Sequence, residues 1–106
     1  MSWSAKPSPA LSLLAPLTGS LTSAATATSV TLTPAGGSTV AAYRIKRLAS
    51  SAGTLYYRAD ATADGTGDYQ LTSADADSGW IWASSASLSL YAGGGDVAYE
   101  IARLHG

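Results

Sequence analysis

The chain has 106 residues, a formal net charge of −1 and no cysteine. That length supports one domain with its own core and excludes a second independent one. The balanced charge argues against a nucleic-acid partner, which usually requires a basic field. The lack of cysteine removes disulfides and thiolate metal sites.

Ala, Ser, Thr and Gly make up 59 of the 106 residues, and Leu, Ile and Val only 18. So few aliphatics signal disorder only when net charge is high. Here six basic residues offset seven acidic ones, and six Tyr and three Trp supply bulk. The composition therefore predicts a folded domain with a small core and a hydroxyl-rich surface. Abundant Ala and Gly, no Asn or Phe and only two lysines, Lys6 and Lys46, suit a gene of high G+C content, hence a bacterium or its phage.

Residues 1–28 differ from the rest. They hold three of the four prolines and an Ala/Ser/Thr tract, TSAATATS. Proline fixes φ and removes a donor, so the segment reads as an extended N-terminal arm. Ser8 and Pro9 could instead start one helical turn, as N-cap and N1. Leu11, Leu13, Leu14 and Leu17 need burial, either on a neighbouring molecule or along the chain's own sheet. The apolar run Ala10 to Leu17 follows Lys6, but Pro7, Pro9 and Pro16 interrupt what a signal peptide keeps continuous. It is also too short to span a bilayer as a helix. A mature chain without targeting sequence or membrane contact is expected.

From residue 29 the pattern has period two. Val30 and Leu32, Tyr43 and Ile45, Leu55 and Tyr57, Tyr69 and Leu71, Leu88 and Leu90, and Val97, Tyr99 and Ile101 each alternate with smaller or polar residues. Alternation of this kind marks strands with one buried face. Gly- and Asp-containing turns separate the runs: Pro34–Gly37, Ser51–Gly53, Asp64–Gly67, Asp77–Gly79 and Gly93–Asp96. The expectation is about seven strands, centred near residues 31, 44, 57, 70, 82, 89 and 100. Residues 29–106 then form an all-β domain, an antiparallel β-sandwich of jelly-roll or Ig-like type.

Catalytic chemistry finds little material. The single histidine, His105, is one residue from the end, where chains usually fray. A nucleophilic triad would depend on it entirely. Asp60, Asp64, Asp68, Asp75, Asp77 and Asp96 all fall in or beside turns, where Asp is a turn former. Asp75-Ala76-Asp77-Ser78-Gly79 resembles the start of a calcium loop, but Ala86 stands where an EF-hand needs its bidentate Glu. An irregular calcium site at Asp75 and Asp77 stays open. Gly93-Gly94-Gly95 lacks the Lys-Ser/Thr ending of a phosphate loop and reads as a hairpin tip. No enzyme activity and no cofactor are expected.

Binding is better served. Trp80 and Trp82, two residues apart on a strand, share one face. Burial of at least one in the core is expected. Exposed, they would form a stacking platform with Tyr56 and Tyr91, which suits a carbohydrate-binding module. Arg44, Lys46 and Arg58 are expected on one outward face, with Asp60 and Glu100 across from them as cross-strand partners. Such a face, together with Leu11, Leu13, Leu14 and Leu17 of the arm, would contact a neighbouring subunit.

The proline-containing arm from Ser2 to Leu17, the small-residue β domain and the final strand DVAYEIARLHG together resemble the small all-β accessory proteins of tailed-phage virions. That resemblance implies a non-enzymatic capsid decoration or stabilising protein, or a tail or fibre component. It implies a virion location after assembly in the bacterial cytoplasm. It also implies a major capsid or other virion protein as partner, and a homo-oligomer, a trimer first.

Overall fold

The computed structural model describes residues 12–23, 26–32 and 40–105, and every regular element among them is a β-strand. In chain order these are β1 (Ser12–Leu13), β2 (Leu17–Leu21), β3 (Thr28–Thr31), β4 (Val40–Arg47), β5 (Thr54–Arg58), β6 (Tyr69–Leu71), β7 (Ile81–Trp82), β8 (Ser87–Gly93) and β9 (Val97–His105). All seven expected centres lie inside β3 to β9. The arm segment supplies two further strands, so the described residues hold nine rather than about seven. From Ser12 onward the segment packs along the chain's own sheet. The helical turn considered at Ser8-Pro9 lies outside the described residues.

The strands form two antiparallel sheets. In sheet I, β1 and β2 share one edge of β9, β4 pairs with its other edge, and β7 lies outside β4. Sheet II runs β3-β8-β5-β6. The pairs are nested: β2 with β9, β3 with β8, β4 with β7 and β5 with β6. Successive pairs alternate between the sheets, as in one long hairpin rolled over on itself.

Period two decides what each strand buries. On β9, Val97, Tyr99, Ile101 and Arg103 are buried, whereas Ala98, Glu100 and Ala102 are only partly covered. Tyr43 and Ile45 of β4 and Leu21 of β2 join the inward set, while Leu55, Tyr57, Leu71, Leu88, Leu90 and Leu32 come from sheet II and its ends. These side chains form one cluster, so the two sheets face each other across a single core. Each buried Leu or Ile contributes about 1.5–3 kcal/mol. Gly19 sits opposite Tyr99, and a Cβ there would lie 2.7 Å from the ring's Cζ. The ring therefore lies over the β2 backbone and fills space that a larger residue at 19 would need.

Two arginines are unforeseen members of the interior. Arg47 and Arg103 are each only 6% exposed. A buried guanidinium is costly unless its donors are used. Arg47 donates from Nε to the Gly53 carbonyl (2.7 Å) and from Nη2 to that of Ser51 (3.1 Å). Arg103 donates to the carbonyls of Leu32 (2.7 Å) and Ala15 (3.0 Å). Both thus fasten connecting segments to the sheets.

The β4–β5 loop is fastened a second time. Ala52 and Gly53 donate their amides to the Asp96 carbonyl at 2.8 and 3.1 Å, and the Ser51 hydroxyl exchanges bonds with the backbone of Ala98. Gly53 is buried, and a Cβ there would run into the Gly95 carbonyl and lie 2.7 Å from that of Gly93. Backbone on both sides leaves little room to yield. Gly53→Ala is expected to lower stability by about 1–3 kcal/mol. Urea denaturation should report a lower midpoint at an unchanged slope.

Candidate functional site

The two sheets part at their β7 and β6 edges, where the core changes from aliphatic to tyrosine. Tyr43 and Ile81, cross-strand partners, face inward from sheet I. Tyr57 and Tyr69, likewise partners, come from sheet II. With Ala59, Asp60, Ser78 and Ser84 they line a cleft of about 620 Å³. The Tyr57 and Tyr69 rings stack with centroids 5.5 Å apart and planes 26° apart. Tyr43 and Tyr57 are buried, but Tyr69 is 72% exposed and forms the outer lip. Burial pushes the phenol pKa of Tyr43 and Tyr57 up, and neighbouring phenols add to it: Tyr69 for Tyr43, and Tyr43 and Tyr69 for Tyr57. The three phenols therefore converge on one space.

The charged group at the mouth, Asp60, is already engaged. Its two oxygens accept from Arg58 Nε (3.2 Å) and Nη2 (3.4 Å). The hydrogen bond from Arg58 is the main cause that holds the Asp60 carboxyl below its ordinary range; a backbone hydrogen bond and the Arg58 charge add to it. Arg58 Nε also lies 3.6 Å from Oδ1 of Asp68, whose side chain is fully enclosed. Oδ2 of Asp68 accepts the amides of Asp64 (2.9 Å) and Gly65 (2.8 Å), which closes the turn between Asp60 and Tyr69. Asp64 and Asp68 are thus turn formers, as their sequence context predicts.

A second surface lies on the outer face of sheet I. Leu13 of β1 stands opposite Leu104 of β9, Leu104 opposite Ala42 of β4, and Ala42 opposite Trp82 of β7. Four apolar residues thus cross the whole sheet in one row. Its ends, Leu13 and Trp82, are 69% and 75% exposed, while Ala42 is buried. Beside the row, the Arg44 guanidinium lies over the Trp80 ring at 5.4 Å, a cation–π contact. Beyond it Lys46 stands opposite Glu100 and lies 3.8 Å from the Asp75 carboxylate.

The residues singled out from sequence divide among these surfaces. Leu13 faces out, whereas Leu14 and Leu17 pack against the core; Leu11 lies outside the described residues. Trp80 and Trp82 do share a face, but neither enters the core: Trp80 is 47% exposed. The inward position of β7 belongs to Ile81, because it pairs with Tyr43. Arg44 and Lys46 lie on the outside of sheet I, and Arg58 belongs to sheet II, so the three do not share one face. Glu100 is the cross-strand partner of Lys46, but Asp60 meets Arg58 from two residues along the chain. The aromatic platform is split in the same way. Tyr56 and Tyr91 pair on sheet II with ring centroids 6.1 Å apart, away from the two tryptophans.

Asp77 Oδ1 accepts the Gly79 amide at 2.8 Å, which makes this segment a tight turn. No three His, Cys, Asp or Glu among the described residues are grouped to hold a metal ion. His105 is partly buried as the last residue of β9, paired with Val40 and Ser12, rather than frayed. The tyrosine cleft itself escaped the sequence reading. Its only signal was that Tyr43, Tyr57 and Tyr69 all occupy inward positions where aliphatics would otherwise stand.

Compared with protein-family models, curated proteins and solved structures, the chain matches none.

Tyr99 joins Tyr43 and Tyr57 with a pKa raised by burial. A group whose pKa is higher folded than unfolded stabilises fully below the unfolded value and loses that contribution as pH rises through the folded one. Stability should therefore be level below the ordinary phenol pKa of 10.0 and fall above it. In an alkaline titration, tyrosinate absorbance and loss of β-sheet circular dichroism are expected to rise together.

Proposed function

We propose that this chain is a non-enzymatic structural protein of a phage virion, a jelly-roll module that self-associates through the outer face of sheet I. The observation that carries the reading is the apolar row Leu13–Leu104–Ala42–Trp82, exposed at both ends. Large apolar side chains left exposed along one row mark interaction sites, and Trp is prominent among residues that dominate binding energy. The face suits a second copy of the same chain because it carries both charge signs beside the row. Arg44 and Lys46 lie on it with Glu100 and Asp75, so a rotated copy can set cations against carboxylates.

The strand pairing supports the jelly-roll type over the Ig-like one. Nested pairs distributed alternately over two sheets are what a rolled eight-strand hairpin produces, and viral capsid domains use that architecture. The virion assignment draws further on the resemblance of composition and arm described above. In this reading the oligomer, a trimer first, attaches to a major capsid or other virion protein after assembly in the host cytoplasm.

Size exclusion with light scattering on the full chain tests the self-association. A discrete oligomer is expected, and a monomer at all concentrations overturns it. Trp82→Ser and Leu13→Ser should each weaken association by about 2 kcal/mol or more, roughly thirtyfold, without loss of folding. Antibodies against the chain should label gradient-purified phage particles from cells that produce it; unlabelled particles would overturn the virion location.

A further inference from the structure

The tyrosine cleft has a use that self-association does not require. We propose that the cleft between β6 and β7 binds a neutral saccharide, stacked on Tyr69 and hydrogen-bonded by the phenols of Tyr43 and Tyr57 and the hydroxyl of Ser84.

Size and shape come first. A cleft of about 620 Å³ is within the range of small-ligand sites, which are mostly apolar with a few convergent polar groups. Tyr69 offers an exposed ring stacked against that of Tyr57, which supports its orientation before any ligand arrives. A sugar ring has an apolar C–H face and a polar rim, and an exposed phenol matches both.

Charge narrows the class. Asp60 is the charged residue of the lining, and Arg58 already engages both its oxygens. A cationic ligand would compete with that guanidinium. An anionic ligand would meet a carboxylate and no lysine or arginine in the lining. Ser78 is also committed, since its hydroxyl accepts from the Ile45 amide and donates to the Gly79 carbonyl. The three phenols and the Ser84 hydroxyl remain as neutral donors and acceptors, which is the chemistry a polyhydroxylated neutral ligand requires.

This site and the apolar row are on opposite sides of sheet I. They meet through β4 and β7, which send Tyr43 and Ile81 into the cleft and Ala42 and Trp82 to the outer face. Failure of one proposal is therefore separable from failure of the other.

The test is an NMR titration of the full chain, following the Tyr43, Tyr57 and Tyr69 ring resonances, with maltohexaose, cellohexaose, chitohexaose and, as an anionic control, a hexameric polyuronate. At least one neutral oligomer should shift all three rings in the millimolar range, with the polyuronate weaker. Tyr69→Ala should weaken that binding about tenfold, and Tyr69→Phe should retain most of it. Ser84→Trp, a cleft-filling change at an exposed position, should abolish it, and Trp82→Ser should leave it unchanged. Unmoved tyrosine resonances with all three neutral oligomers would overturn the proposal. So would full binding by a folded Tyr69→Ala protein, tighter binding of the polyuronate, or loss of binding in Trp82→Ser alone.

Discussion

Sheet I depends on β9. This strand is paired along both edges, with β1 and β2 on one side and β4 on the other. Its pairing joins the two ends of the described chain, Leu17 to Ile101 and Ser12 to His105. None of these contacts is local. Each must repay the entropy of closing a long loop, so topologies of this kind fold slowly and all at once. The inward residues of β9 then contribute to several regions of the interior: Val97 and Ile101 to the aliphatic centre, Tyr99 over Gly19, and Arg103 to the segments around Ala15 and Leu32.

A chain with so few aliphatics must use them economically. Leu32, Ile45, Leu55, Leu88, Leu90, Val97 and Ile101 are almost wholly buried. Toward the ends of the sandwich other groups take over. Arg47 and Arg103 donate to loop carbonyls, and the guanidinium forks suit that task because their donors are fixed in one plane. At the β6–β7 edge tyrosines replace leucines. A phenol covers the core with its ring and presents a polar tip to the cleft, so the sheets can part there without exposing bare hydrocarbon. The cleft is a consequence of how the core ends.

The two residues of β7 illustrate how one short strand can serve two surfaces. Ile81 closes the interior against Tyr43, and Trp82 completes the apolar row that runs from Leu13. The self-association reading draws on the outward side of this strand, and the saccharide reading draws on the inward side. Both treat the fold as a scaffold for recognition, and neither needs a catalytic group.

Local chemistry in the sequence determined where strands run and which residues of each share a side. Val97, Tyr99 and Ile101 are inward together because side chains on an extended chain alternate whatever the strand pairs with. The turns at Asp64–Gly67 and Asp77–Gly79 were legible for the same reason, since their hydrogen bonds close within a few residues. Tertiary pairing decided the rest. Period two says that Trp80 and Trp82 share a face, but only the register of Ile81 with Tyr43 turns that face outward. It equally places Arg44 and Lys46 on one sheet and Arg58 on the other, and it turns the leucine-bearing segment from Ser12 onward into edge strands of β9. Alternation carries the parity of a side chain along its own strand. Which parity faces the core, and beside which neighbour, is set by partners up to about ninety residues away.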